Sequence, residues 1–461
     1  MEIVKKILAC LSVLLFVLAG LSQSRPVYSF WQDDSLIKKR YYDQALKKKE
    51  TLIASLDKGY KKDYKEIYEN RFEEIADLLQ SSRTITQPEV HQYLQSLVKK
   101  IVDANTKLQS LELRIVFSRD WWPNAYSIGE GTIAFNAGLF VYLNNESEVV
   151  FVLCHELAHL YLDHSKKRID KMVMLGNSDS LKRELKKLSK QEYRIGEQLD
   201  KLFKTLVFDL RRHSREGEEE ADREGMNFFT NTGYTGGGFI SAMKVLDKID
   251  DTSLFSPLNI GKVLSFPDYT FRERWIKKES VIFGTLNPED AGDLSKKERD
   301  SLKTHPDCTR RIALLADRAH SIEGKEFLVN ESLFTRLKQE FIPEMMEEIY
   351  KRGNVGFNLY LALQMLQDEK YKPLAIYAIA RDLNRIYTSQ KQHELGLIID
   401  SENRRYDEEY NQLLRMLSRL RLSEIADLNL HFCTFYRNEM KEYEGFEDQF
   451  KQATQHKTEQ Q

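Results

Sequence analysis

Residues 149–160 read VVFVLCHELAHL and contain the motif His-Glu-x-x-His. Apart from His155, Glu156 and His159, every position in this stretch is apolar or small, which is typical of a helix buried in a protein interior. Four residues turn a helix by about 400°, so the imidazoles of His155 and His159 lie on one face, roughly one turn apart. Two imidazoles at this spacing can bind one zinc ion, and Glu156 lies beside them as a general base.

The sequence also predicts where this helix begins. Asn145 followed by Glu148 predicts an N-cap and a capping box. In a chain with ten histidines this short motif can arise by chance. The alternative to a metal site is therefore that His155 and His159 are ordinary core residues. The buried setting and the helix start favour the metal site, and we expect one Zn2+ ion per chain.

A small sheet is predicted ahead of the metal helix. Residues 113–117 and 132–135 have the composition of strands, and the turns between them contain residues 121–126 and 129–131. An extended substrate can add to an exposed sheet edge by main-chain hydrogen bonds. Residues 132–136 are the candidate edge; the alternative is that they form a plain structural strand.

The chain becomes strongly charged after His164. Residues 166–212 show a helical pattern with amphipathically spaced leucines. This insertion leaves the metal helix and returns just before the next acidic stretch, so both of its ends are expected near the metal. We predict that it lies across the cleft as a lid; the alternative is a helical hairpin that projects into solvent.

Residues 214–222 read SREGEEEAD and open another predicted helix. A metzincin arrangement is excluded, because Leu162 and Ser165 occupy the positions where it needs Gly and His. A downstream Glu is therefore the expected third ligand, with a position left open for water. Composition alone does not choose among the four glutamates. Glu218 and Asp222 are four residues apart on one helical face, which would place one carboxylate on the metal and the second behind it, where it can orient a ligand His.

Together, HELAH at 155–159 and EEEAD at 218–222 resemble the gluzincin zinc metallopeptidases of the CAAX prenyl protease, HtpX and BepA family. Smaller matches to that family are NAY at 124–126, GY at 233–234, THP at 304–306 and RI at 311–312. The resemblance covers about residues 72–319. It implies a zincin-type fold and hydrolysis of peptide bonds.

Roles for individual residues follow from the resemblance. His155, His159 and Glu218 are expected to bind zinc, and Asp222 to orient one of the ligand histidines. Glu156 is expected to be the general base. His305 is expected to polarise the scissile carbonyl, or to be a fourth ligand in a closed state.

The N-terminus has the order of a secretory signal peptide, with Lys5 and Lys6, an apolar run at 7–21 and polar residues at 22–26. The run is shorter than the about 20 residues of a membrane span. We expect cleavage near residue 24 and export to the periplasm or cell envelope; an uncleaved anchor that gives membrane association is the alternative. With one hydrophobic segment, the chain is most similar to the exported BepA-like branch.

Composition supports a globular chain of 461 residues, 41% hydrophobic and 30% charged. Its net charge of −2 gives no support for nucleic-acid binding. We predict an α+β fold in which a mainly helical zincin-type peptidase domain with a small sheet is followed by an all-α helical-hairpin domain. The predicted segments are a signal peptide (1–24), solvated charged helices (25–71), the peptidase domain (72–325) with its insertion (166–212), the helical-hairpin domain (326–450) and a disordered tail (451–461).

The predicted function is that of an exported zinc metalloendopeptidase acting on proteins or peptides, with a role in envelope protein quality control. A protein partner is expected on the C-terminal helices. The alternative function is a zinc-containing chaperone or adaptor that acts mainly through those helices. Glu156 argues against this alternative, because a binding module does not need a general base.

Overall fold

A computed structural model describes residues 30–56, 59–188, 215–249, 254–278, 308–403 and 406–460. These residues form two compact units. The first holds the described residues up to Leu254 and from Cys308 to Glu348; the second holds those from Phe255 to Lys278 and from Ile349 onwards. The fold is α+β and mainly helical, with one small sheet, as predicted.

Eleven described helices begin in the first unit. They are α1 (Ser35–Ala54), α2 (Lys61–Gln80), α3 (Pro88–Ala104), α4 (Ala137–Tyr142), α5 (Glu146–Tyr161), α6 (His164–Gly176), α7 (Asp179–Leu188), α8 (residues 215–230), α9 (Gly237–Lys248), α10 (Cys308–His320) and α11 (Glu331–Lys351). A 3-10 turn at Thr106–Leu108 follows α3.

Four strands form the sheet: β1 (Thr84–Ile85), β2 (Arg114–Ser118), β3 (Ala125–Gly129) and β4 (Thr132–Asn136). Their order is β1-β2-β4-β3, so β4 is an inner strand between parallel β2 and antiparallel β3. The prediction that residues 132–136 form the free edge is therefore wrong. The edge strand on this side of the sheet is β3, and β1 is the other edge. The sequence predicts turns here because Pro123 and Asn124 precede β3 and Gly129 ends it; Gly129 has a φ of 116°.

The N-terminal helices α1 and α2 pack together and also cover the sheet. Tyr41 and Ala45 of α1 and Ile75 of α2 share a buried cluster with Val116 and Ala134 of the sheet. The expectation of a solvated helix pair is therefore wrong. A narrow apolar stripe on each helix is enough to bury one face, although the composition is dominated by charge.

The metal helix α5 begins as the sequence predicts. The side chain of the N-cap Asn145 accepts a hydrogen bond from the Glu148 backbone N–H at 3.0 Å. The Glu148 carboxylate accepts from the Asn144 backbone N–H at 2.7 Å, one residue before the partner that a capping box requires. From Glu146 to Ala158 the helix is buried.

Glu146 fixes this end of α5 in the core. Its carboxylate accepts hydrogen bonds from the hydroxyls of Tyr93 and Tyr234 and from the backbone N–H groups of residues 328–330. A buried carboxylate is tolerated where its lone pairs are satisfied in this way. The network holds the first turn of the metal helix against distant parts of the chain.

The insertion begins with α6 and α7, and residues 189–212 lie outside the described part of the chain. Ile169 and Val173 of α6 pack with Tyr68 of α2 in a buried cluster. The Tyr64 hydroxyl donates to Asp170 at 3.0 Å. The first helix of the insertion is thus attached to α2.

An aromatic cluster joins α11 to the first unit. The rings of Phe117 and Phe341 lie 5.1 Å apart, and those of Phe140 and Phe334 lie 4.8 Å apart. The division between the units falls after Glu348, whereas the sequence predicted the helical-hairpin domain from residue 326. The sequence of α11 has apolar residues at helical spacing, but it does not indicate that they pack against β2 and α4.

The second unit is helical, with α12 (Val355–Gln367), α13 (Lys372–Lys391), α14 (Glu408–Arg419), α15 (Leu422–Tyr436) and α16 (Phe446–Thr458). A short helix at Ile260–Val263 and 3-10 turns at Glu273–Trp275 and Leu395–Leu397 complete its described elements. Within the helical-hairpin domain the sequence pattern predicts a hairpin at residues 354–367 and 373–387, and these residues correspond to α12 and α13.

Helix α16 corrects the prediction of a disordered tail from residue 451. Ala453 and His456 are buried, and the His456 ring stacks on Tyr387 at 3.9 Å between centroids. Ala453 and His456 are the only buried residues between 451 and 460, so the mostly polar composition of the segment does not reveal its burial.

Within the described ranges, no helix has both the length and the apolar character needed to cross a membrane. The predicted signal peptide lies outside these ranges.

Candidate metal centre

Two helices supply the candidate ligands. Helix α5 presents His155 and His159 on one face, and α8 presents Glu218 towards them. The helices approach closely at Gly225, where a Cβ atom would lie 3.1 Å from the Cα of His155. Glycine at this position therefore sets the distance between the helix with the histidines and the helix with the carboxylate.

The ligand atoms converge. The Nε2 atoms of His155 and His159 lie 3.0 Å apart, and Glu218 oxygens lie 3.4 Å and 3.3 Å from them. Zinc bonds of 2.0–2.2 Å in a tetrahedron separate the ligand atoms by about 3.3–3.5 Å. The donor set, two imidazoles and one carboxylate, is the one that catalytic zinc sites use. These residues therefore fit a zinc ion.

Asp222 lies behind the cluster, next to His155. Its Oδ1 lies 2.9 Å from His155 Nδ1, which is the nitrogen that faces away from the cluster. Arg311 holds both carboxylate oxygens of Asp222, with Nε–Oδ2 at 2.5 Å and Nη2–Oδ1 at 2.7 Å. The sequence marked Arg311 only as a family match; its contact with Asp222 became evident from the structure.

The electrostatics favour a cation. Burial lowers the pKa of His155, but the carboxylates of Asp222 and Glu218 outweigh burial and raise it to about 10. Burial alone would raise the pKa of Glu218, but its hydrogen bonds to His155 and His159 outweigh burial and hold it well below its usual range. An ionised carboxylate beside an imidazole whose pKa is raised marks a site of negative potential, which favours a divalent metal ion.

Glu156 faces the same cleft without being one of the three converging groups. Burial raises the pKa of its carboxyl group. Ser127, in the edge strand β3, lines the same cleft, and its backbone lowers the pKa of this carboxyl group by less than burial raises it. The sequence did not indicate Ser127, because the strand that carries it was not recognised.

The cleft has a volume of about 650 Å³. Residues 124–128 of the β3 region form one wall, and His155, Glu156 and His159 form another. The edge strand, the candidate base and the candidate ligands thus share one open space.

The structure therefore brings together His155, His159 and Glu218, with Asp222 in contact with His155 and Glu156 in the lining of the same cleft. His305 lies outside the described residues, so its role stays a prediction.

The model of peptidase family M48 matches residues 85–319, just over half of the chain. The chain belongs to peptidase family M48. No curated protein matches it. Peptidases of the M48 family are zinc-dependent, and the cluster of this M48 chain is compatible with that metal. The matched segment includes β2 to β4, α5 and α8, which are the elements that build the cleft.

Proposed function

We propose that the chain is a zinc metalloendopeptidase in which His155, His159 and Glu218 hold the metal. The convergence of these three groups beside Glu156 in one cleft is the observation that carries the proposal. A zinc ion held there would supply Lewis-acid chemistry: it would polarise the scissile carbonyl and lower the pKa of water.

Glu156 takes the proton from the attacking water and passes it to the leaving amine. Its buried carboxyl has a raised pKa, which brings its proton affinity closer to that needed for transfer at neutral pH. Ser127 of β3 lines the cleft on the strand side. Asp222 orients His155 and is itself held by Arg311.

The free edge of β3 is the proposed substrate-binding strand. The Asn136 N–H donates to the Asn124 carbonyl at 3.0 Å, and residues of antiparallel strands alternate between facing their partner and facing away. Ala125 and Ser127 therefore direct their backbone groups away from β4. An extended peptide can pair there by main-chain hydrogen bonds, which tolerate varied side chains and suit an endopeptidase.

The cellular context is proposed from the sequence. Residues 1–24 direct export to the periplasm or cell envelope, and an uncleaved segment would give membrane association. An exported peptidase most similar to the BepA-like branch would act in envelope protein quality control. The helices of the second unit provide the surface for a protein partner.

The proposal is tested by incubating casein with the purified protein that begins at residue 25. We expect cleavage that stops with a zinc chelator, returns with stoichiometric zinc, and yields internal fragments by mass spectrometry. One zinc per chain should be found by elemental analysis. A folded, zinc-loaded protein that binds casein but leaves it intact would instead support the chaperone or adaptor function.

A further inference from the structure

His159 has a partner of its own behind the metal cluster. Its Nδ1 lies 2.9 Å from Nδ1 of His164, and Nε2 of His164 lies 3.1 Å from a carboxylate oxygen of Glu220. The two imidazole rings meet edge to face, with centroids 5.0 Å apart. The side chain of His164 is only 13% exposed, whereas that of Glu220 is 54% exposed.

The local backbone explains this contact. Helix α5 ends at Tyr161, and Asp163 adopts a left-handed conformation with a φ of 55° before α6 begins at His164. This reversal brings the first side chain of α6 back over the last turn of α5. Helix α8 then supplies Glu220, two residues after the candidate ligand Glu218.

The hydrogen bonds define where the protons lie. A carboxylate only accepts, so Nε2 of His164 carries the proton that it donates to Glu220. Nδ1 of neutral His164 is then an acceptor, and His159 donates to it from Nδ1. His159 is left with its Nε2 lone pair directed towards His155 and Glu218.

We propose that His164 is the positioning residue of His159 and that Glu220 fixes the tautomer of His164. This inference rests on the proposed function, because it takes His159 as a zinc ligand. The two ligand histidines then have different supports: a buried carboxylate held by Arg311 for His155, and a neutral imidazole held by an exposed carboxylate for His159. His164 is not itself a ligand, since it contacts the ring nitrogen that faces away from the cluster.

Zinc affinity measured by chelator competition at one fixed pH tests the role of His164. His164→Leu keeps a similar volume but cannot accept, and it should weaken zinc binding about 10–100-fold, the usual cost of losing an outer-shell partner. His164→Asn keeps an acceptor oxygen close to the position of Nδ1 and should recover most of that loss. The thermal midpoint of the metal-free protein should stay unchanged in both variants.

Glu220 gives a second test that does not disturb the interior. Glu220→Ala should weaken zinc binding several-fold. Glu224→Ala is the control on the same helix, where the partly buried Glu224 pairs with the exposed Lys107, and it should leave the affinity unchanged. Zinc affinities of folded His164→Leu and Glu220→Ala within twofold of the original protein would overturn the proposal.

Histidine-selective 15N NMR tests the proton positions in the unmodified, zinc-loaded protein. We expect His164 as the Nε2–H tautomer and His159 protonated at Nδ1; His164 as the Nδ1–H tautomer would overturn the proposal even if the variants fail to fold. Glu218→Gln separates this inference from the proposed function. If Glu218→Gln loses zinc while His164→Leu retains it, the metal site stands and only the role of His164 is wrong.

Discussion

Adjacent glutamates at the start of α8 have different partners. Glu218 lies within 3.4 Å of both ligand histidines, Glu219 lies 2.8 Å from Arg310, and Glu220 reaches His164. Since successive residues of a helix point about 100° apart, one step along the chain changes the partner entirely. The identity of the third ligand therefore depends on the helix register.

Glu218→Gln should weaken zinc binding by more than about 100-fold, which exceeds the usual cost of losing an outer-shell partner. The reason is that, among the described residues, Glu218 supplies the carboxylate of the cluster, and the substitution removes it. Glu219→Gln should leave the affinity within twofold. Chelator competition measures both, and loss of zinc by Glu219→Gln alone would show that the register is wrong.

Arg311→Met should lower the free energy of unfolding of the first unit by up to about 3–5 kcal/mol. It removes the buried guanidinium that holds both oxygens of Asp222 and leaves His155 as the remaining charged neighbour of that carboxylate. Arg310→Met is the matched control. Arg310 is 68% exposed and pairs with Glu219 at the surface, so its loss should cost less than about 1 kcal/mol. Urea unfolding of the metal-free protein measures both, and equal effects would contradict this account of the pair.

Residues within one helix were the most predictable part of the site. His155, Glu156 and His159 follow from the helical repeat, and Glu218 from its spacing to Asp222. The contact of Arg311 with Asp222 joins residues 89 positions apart, and no local spacing encodes it. His164 was visible as a third histidine close to the motif, but its return to His159 depends on the left-handed Asp163.

At the scale of elements, the site depends on how closely α5 and α8 approach and on which strand is at the edge of the sheet. The metal helix and two strands were predictable from apolar patterns. The strand order was not predictable, because the turn-like composition of β3 hides this strand and makes β4 the expected edge. Sheet order depends on pairing between segments, which a local pattern does not specify.

Gly225→Ala should move α8 away from α5, because the new methyl group would meet backbone atoms of His155 at 3.1 Å. We expect zinc binding to weaken about tenfold and overpacking to cost about 1–3 kcal/mol, partly offset by the better helix propensity of Ala. Gly176→Ala, where nothing lies within 4 Å of the new Cβ, is the control and should not change zinc affinity. Unchanged zinc affinity in Gly225→Ala would show that this approach does not set the site.

On the scale of the whole molecule, the α+β fold class was predictable, while the extent of each unit was not. Helix α11 contributes to the aromatic core of the first unit through Phe334 and Phe341. The C-terminal segment is a packed helix of the second unit although its composition resembles a disordered tail. The composition of a segment averages over all of its residues, whereas the packing of these two helices depends on a few buried residues.

His456→Ala should destabilise the second unit by about 1–3 kcal/mol, while the exposed Gln452→Ala should stay within about 0.5 kcal/mol. Burial lowers the pKa of His456 below its usual 6.5, so its folded form resists protonation. The unfolded chain takes up the proton as pH falls below about 6.5, and the stability of the original protein falls with it. In urea unfolding, the free energy of unfolding of the original protein should therefore exceed that of His456→Ala by less at pH 5 than at pH 8. Equal free energies of unfolding at both pH values would indicate a disordered tail.

The most direct test of the metallopeptidase assignment is the casein-cleavage rate of zinc-loaded Glu156→Gln, measured with its zinc content. Glu156 shares the cleft with the candidate ligands but is not one of them. We predict one zinc per chain and a rate about 10²–10⁴ lower than that of the original protein, the usual cost of losing a general base. Near-normal cleavage by a folded, zinc-loaded Glu156→Gln would contradict the account.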